Sequence, residues 1–179
     1  LPICAIATRN KLFVIEDAAQ SQGASRNGRA SGAFGNVTGT SFYPGKNLGA
    51  FGDAGAVLTD DDDIAKKVRA LRNYGSEVKY HHPETGFNSR LDTLQAAVLS
   101  AKLKRLDAWN EMRRRAAMLY SDLLSGHPGI STPGTLEGNS HVWHLYVVEV
   151  AERDRVLAEL NSLGIGAGIH YPTPIHMHG

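Results

Sequence analysis

Cysteine is almost missing from this chain of 179 residues; Cys4 stands alone. A single cysteine excludes an internal disulfide framework and a multi-cysteine zinc site. No run approaches eighteen consecutive apolar residues, so no segment reads as a membrane-spanning helix. There is no excess of basic charge either: 19 Lys and Arg stand against 18 Asp and Glu, a formal net charge of +1. Without a basic stripe, neither nucleic acid nor an anionic membrane surface is an expected partner. The chain starts at Leu1 with no signal peptide, and its cysteine usage points to a reducing cytoplasm. The remainder is 42% hydrophobic and 21% charged, the balance of a soluble globular protein and not of a disordered one.

Glycine and proline are also absent between Leu91 and Leu124. The apolar spacing there predicts one or two helices, long enough together to bridge two domains. Upstream, residues 1–10 read as a short amphipathic helix. Leu12 to Ile15 form a β-favouring run that ends in Glu16 and Asp17, which predicts a buried parallel strand delivering acidic groups at its carboxyl end. Five glycines among residues 23–39 predict loop and turn. Short strands follow at 40–43 and 55–59, then a helix started by Asp60 to Asp63 and stopped by Gly75. Beyond Gly126, a strand over 144–150, a helix over 153–163 and a short strand at 169–171 read as a separate α+β unit.

Lys46 lies in Tyr43-Pro-Gly-Lys-Asn-Leu-Gly49, between two strands. A phosphate-binding P-loop is excluded: Gly39 and Gly45 are separated by five residues, and Asn47, not Ser or Thr, follows the lysine. An isolated loop lysine is ordinarily a solvated charge. Its other chemistry is Schiff-base formation with an aldehyde, of which pyridoxal phosphate is the recurrent biological source. That cofactor asks for a carboxylate beside its ring nitrogen, which Asp17 can supply, and for phosphate donors, of which Ser41 can be one. The histidines at 141, 144, 170, 176 and 178 have no acidic or cysteine cluster beside them and are not read as a metal site. Gly164, Gly166 and Gly168 lack the dinucleotide-binding spacing.

These residues carry a resemblance. Val14-Ile-Glu-Asp-Ala-Ala-Gln20, Ser41-Phe-Tyr-Pro-Gly-Lys-Asn-Leu-Gly-Ala50, Gly52-Asp-Ala-Gly-Ala56, Arg72-Asn-Tyr-Gly75, Gly86-Phe-Asn-Ser-Arg-Leu-Asp92, Gln95-Ala-Ala97, Lys102-Leu103, His170-Tyr-Pro172 and Pro174-Ile-His176 together resemble the DegT-type (DegT/DnrJ/StrS) sugar aminotransferases. The resemblance spans nearly the whole chain. It implies an α/β fold, the aspartate-aminotransferase-like fold type I of pyridoxal-phosphate-dependent transferases. Residues 1–88 would be the later part of the large cofactor-binding domain, 89–125 a connecting helical segment, and 126–179 part of a small α+β domain. Family members are about twice as long, so the chain reads as a segment of an aminotransferase.

The resemblance also implies roles. Lys46 would bind pyridoxal phosphate covalently and shuttle the proton. Asp17 would pair with the ring nitrogen, Gln20 would sit near the ring hydroxyl, and Ser41 would bind the phosphate. Asn88 would reach the phosphate from the neighbouring subunit of a homodimer. His170 and Tyr171 would lie on the substrate side. The implied reaction moves an amino group from glutamate or glutamine to a nucleotide-linked keto-sugar, with a dTDP-3-keto-6-deoxyhexose favoured over a 4-keto sugar. The dehydratase branch of the family replaces the lysine with histidine, which Lys46 argues against. A non-catalytic relic of the fold would have no chemical need for Asp17, Ser41, Lys46 and Asn88 together.

Overall fold

A computed structural model describes residues 1–179. In chain order the elements are α1 (Pro2–Arg9), β1 (Ile15–Asp17), β2 (Ser25–Arg26), β3 (Arg29–Ala30), β4 (Val37–Ser41), β5 (Gly55–Leu58), α2 (Asp62–Leu71), α3 (Thr93–Leu103), α4 (Leu106–Leu124), β6 (Ile130–Ser131), β7 (Asn139–Ser140), β8 (Glu149–Val150) and α5 (Arg153–Ser162), with a final 3-10 turn at Ile175–Met177. The chain divides into two units. The first comprises residues 1–114 and 136–144, the second residues 115–135 and 145–179.

In the first unit, β1 and β4 run parallel, with Asp17 opposite Gly39, and β5 pairs antiparallel on the far side of β4. A second small sheet has the order β3-β2-β7. Its β2–β3 hairpin turns through Asn27 and Gly28, both at positive φ (48° and 78°). An Asn-Gly pair suits such a turn because both central residues must be left-handed. The core is small: Leu48, Ala50, Leu99 and Leu106, with Phe42 and Ala54 packed against them. α2 is capped by Asp61, whose carboxylate accepts from the N–H groups of Asp63 and Ile64. In the second unit, β6 pairs antiparallel with β8, and α5 follows β8.

Several expectations from sequence are corrected. The run at 12–15 is not a buried strand. Only Ile15 of it enters β1, and its residue is 74% exposed. β1 has a single ladder neighbour, β4, so it is an edge strand whose other edge is unpaired. The strand expected at 40–43 begins earlier, at Val37, because the parallel register with β1 starts there. The glycine-rich stretch contains the β2–β3 hairpin. The long Gly- and Pro-free segment is two helices, α3 and α4, as the spacing allowed. Of the apolar run 144–150 only Glu149–Val150 is strand, and 169–171 is not strand at all. β-favouring side chains make a strand only where another backbone lies within hydrogen-bonding reach.

Glu16 was not singled out by sequence, yet it organises the loop before β4. Its carboxylate accepts from the backbone N–H groups of Gly32, Phe34 and Gly35 and from the hydroxyls of Ser31 and Thr38. Burial pushes its pKa up, but these hydrogen bonds outweigh burial, and the net effect holds it below its ordinary value. A depressed folded-state pKa stabilises the fold fully above the unfolded-state value, and that stabilisation is lost as pH falls through the lower folded value. Glu16→Gln is therefore expected to cost about 2 kcal/mol near neutral pH, the scale of charge-assisted hydrogen bonds. In urea unfolding at stepped pH, the gap from wild type should narrow as the wild-type carboxylate protonates.

Candidate functional site

Parallel pairing brings the carboxyl ends of β1 and β4 to one edge of the sheet, where Asp17 ends β1 and Ser41 ends β4. One Asp17 oxygen accepts from the Ala19 N–H at 2.9 Å, and no cation pairs with the carboxylate. Gln20 is exposed just after β1. Ser41 Oγ accepts from the Tyr43 N–H at 3.2 Å, which leaves its own proton for another acceptor. The two strand ends are laced together by Gln22, whose Nε2 donates to the Ser41 carbonyl at 2.8 Å and to Thr40 Oγ1 at 3.0 Å. Gln22 Oε1 is buried without a partner.

Lys46 follows β4 in a tight loop. Its N–H donates to the Tyr43 carbonyl at 2.9 Å, and the loop closes where the Ala50 N–H meets the Phe42 carbonyl at 2.7 Å. Its half-buried side chain has no hydrogen bond or ion pair. The residues immediately after it are firmly held. Leu48 and Ala50 enter the core, Lys102 Nζ donates to the Gly49 carbonyl at 2.6 Å, and Gln95 Oε1 accepts from the Phe51 N–H at 2.8 Å. Gly49 is required by close approach. A Cβ there would lie 2.4 Å from the Pro44 carbonyl oxygen and 2.9 Å from that of Tyr43.

Beneath the loop lies a network that sequence reading passed over. Asn47 Nδ2 donates to Asn110 Oδ1 and to the Val142 carbonyl, both at 2.9 Å, and Asn47 Oδ1 lies 3.0 Å from His144 Nδ1. Asn110 Nδ2 donates to the Gln22 carbonyl at 2.9 Å. Asn47 and Asn110 are 5% and 2% exposed. An asparagine in a Gly/Pro loop reads as a turn residue, and nothing local marks its partners. Gln95 and Lys102 stood in the quoted motifs, but their role emerges only here.

Asn88 sits on a separate segment, bridged to Asn73. It lines an open cleft of about 1210 Å³ along β5 and α2, together with Ser41. Lys46, Asp17 and Gln20 are not on its wall. The candidate site is therefore defined by the strand ends and not by this cleft. His170 and Tyr171 belong to the second unit, both exposed, with their rings edge to face at 5.1 Å. No helix is long and apolar enough to cross a membrane.

Comparison with known proteins gives the context. The model of the DegT/DnrJ/EryC1/StrS aminotransferase family matches residues 2–179. A dTDP-3-amino-3,4,6-trideoxy-alpha-D-glucose transaminase of Streptomyces venezuelae is 49% identical over 96% of this chain and 45% of its own length. A UDP-N-acetyl-3-dehydro-alpha-D-glucosamine 3-aminotransferase of Acidithiobacillus ferrooxidans is 45% identical over 97% of this chain and 47% of its own. The crystal structure of S. venezuelae DesV in complex with a ketimine intermediate superposes with a TM-score of 0.95 at 48% identity, covering 98% of this chain and 47% of that one. The chain spans about half the length of the curated relatives it matches. Its fold is the mixed α/β fold of the pyridoxal-phosphate-dependent aminotransferases, as the resemblance implied.

The Gly49 contacts yield a test of the loop. Gly49→Ala is expected to destabilise by about 1–3 kcal/mol, because the clash is with backbone that cannot step aside. Gly45→Ala, with no atom nearer than 4.0 Å to its Cβ position, should melt close to wild type. Thermal unfolding of the two variants side by side checks the contrast.

Proposed function

The chain belongs to the DegT/DnrJ/EryC1/StrS aminotransferase family, and from that premise we propose that it is the lysine-bearing portion of a pyridoxal-phosphate-dependent sugar aminotransferase. The carrying observation is the strand-end arrangement: an unpaired lysine on a pinned loop, a carboxylate without a cation at the end of β1, and a hydroxyl with an unspent proton at the end of β4. That donor set fits the cofactor. A Schiff base needs an amine not committed to a salt bridge, a pyridinium needs an anion, and a phosphate needs donors.

When bound, the group supplies an aldehyde for the amine and a protonated ring that withdraws electrons from the carbon next to nitrogen. Lys46 Nζ holds the cofactor, then takes the proton from that carbon and returns it. Asp17 keeps the ring nitrogen charged, since an adjacent anion favours the protonated form. Gln20 lies near the ring hydroxyl, and the Ser41 hydroxyl donates to the phosphate. Asn88 donates to the phosphate across the interface of a homodimer. His170 and Tyr171 contact the sugar. Residues 1–88 serve as the cofactor-binding part of the large domain, 89–125 as a helical connection and 126–179 as part of the small domain, in a cytoplasmic enzyme.

The amino donor, glutamate or glutamine, leaves as its keto acid, and its amino group passes to the keto carbon of a nucleotide-linked sugar. A dTDP-3-keto-6-deoxyhexose is the favoured acceptor. The names of the S. venezuelae and A. ferrooxidans relatives both put the nitrogen at carbon 3, on dTDP and UDP sugars respectively.

Lys46→Ala should lack the visible absorbance of a lysine-bound cofactor and lose both half-reactions, by about 10²–10⁴-fold or more. Normal turnover in that variant would refute the assignment. Asp17→Ala should slow single turnover far more than it weakens cofactor affinity, because its action is on ring electronics. Parallel assays with 3-keto and 4-keto nucleotide sugars decide the acceptor, faster turnover of the 4-keto sugar overturning the preference stated here.

A further inference from the structure

We propose that His144 and Asn110 are positioning residues for the Lys46 amine, acting through Asn47; the inference rests on the reading of Lys46 given above. A lysine side chain has four rotatable carbons, so the protein controls its amine first through the placement of its Cα. Lys46 itself is tied only by its N–H to the Tyr43 carbonyl. The next residue, Asn47, is fixed at its side-chain amide. Both of its Nδ2 protons are spent, on Asn110 Oδ1 and on the Val142 carbonyl. Turning the amide over would set its oxygen against two acceptors, so Asn47 Oδ1 faces His144.

His144 Nδ1 must then carry a hydrogen and donate across the 3.0 Å gap. This fixes the ring's tautomer from Nδ1, the same role that second partners play in orienting functional histidines elsewhere. Asn110 extends the frame by donating to the carbonyl of Gln22, the residue whose side chain holds the end of β4 at Ser41. A buried amide placed between two acceptors and one donor has one orientation, and the backbone at residue 47 inherits it. The Lys46 Cα is one peptide away.

The geometry makes a specific demand of substitutions at residue 144. Asparagine can place its amide nitrogen where Nδ1 stands. Glutamine, one bond longer, places its nitrogen where Nε2 stands and leaves Asn47 Oδ1 without a donor. Leucine offers no donor at all.

The test measures capture of pyridoxal phosphate by the apoenzyme and not turnover. Nζ bonds to the aldehyde carbon with loss of water, borohydride added at timed intervals reduces the C=N bond, and peptide mass spectrometry counts the adduct at Lys46. His144→Leu and His144→Gln should be trapped about tenfold more slowly or worse, the scale of a misplacement below 1 Å. His144→Asn should be trapped near the wild-type rate. Binding of pyridoxine 5'-phosphate, which has the same ring and phosphate but an alcohol in place of the aldehyde, should be nearly unchanged in all three.

Equal trapping rates for His144→Asn and His144→Gln overturn the proposal, and this comparison holds even if His144→Leu fails to fold. Parallel loss of pyridoxine phosphate binding also overturns it, because the histidine would then be supporting the whole site. If the wild-type protein itself is not trapped at Lys46, the reading of the lysine fails, and the positioning role falls with it.

Discussion

Everything at this site depends on how the backbone from Asn47 to Phe51 is held. A Gly/Pro loop has no reason to present a lysine in one place. Here five consecutive residues are fastened, in four ways. Asn47 is held by hydrogen bonds, Leu48 and Ala50 by burial, Gly49 through its carbonyl to Lys102, and Phe51 through its N–H to Gln95. Lys102 also lies 4.9 Å from the centre of the Phe51 ring, a cation–π contact that adds to the hold. The side chain at residue 46 is left with no partner, while its N–H is held by the Tyr43 carbonyl and the next residue is held by its side chain. That division, a fixed origin and an uncommitted amine, is what covalent cofactor chemistry asks of a lysine.

The fastening is largely polar because the apolar core is small. Burying one leucine such as Leu48 contributes about 1.5–3 kcal/mol, and few comparable residues stand near it. Hydrogen bonds supply direction that burial cannot. An apolar side chain at 47 could sit in several rotamers, whereas an amide facing two acceptors and a donor has one. The arrangement is also sensitive: removing one partner strands another, at about 1–3 kcal/mol for each buried group left unpaired.

What was legible in the sequence was what lies close along the chain. Asp17 ends an apolar run, Ser41 precedes Lys46 by five residues, and the acidic start of α2 announces its own cap. The groups that hold the lysine loop are far away in sequence. Asn47 meets Asn110 and His144 across 63 and 97 residues, and Lys102 reaches Gly49 across 53. No local pattern encodes such pairs, because each member alone is an ordinary polar residue. Strand reading failed for the related reason that a ladder has two sides. His144 has β-favouring neighbours yet is not strand, and its ring serves the Asn47 network instead. The anchoring role of Glu16 was not legible because a carboxylate beside Asp17 reads as one more acid at a strand end.

The separation of those two carboxylates follows from the pleat. Successive side chains on a strand point to opposite faces. Glu16 therefore faces the 31–38 loop, whose N–H and O–H groups saturate it, while Asp17 faces away and keeps an oxygen uncommitted. The register that pairs Ile15 with Val37 and Asp17 with Gly39 makes this assignment. A slip of one residue would exchange the faces. Asp17, the acid proposed for the ring nitrogen, would then be consumed by backbone donors, and the loop would lose its anchor. The same two-residue alternation thus decides which acid builds the site and which remains available to act in it.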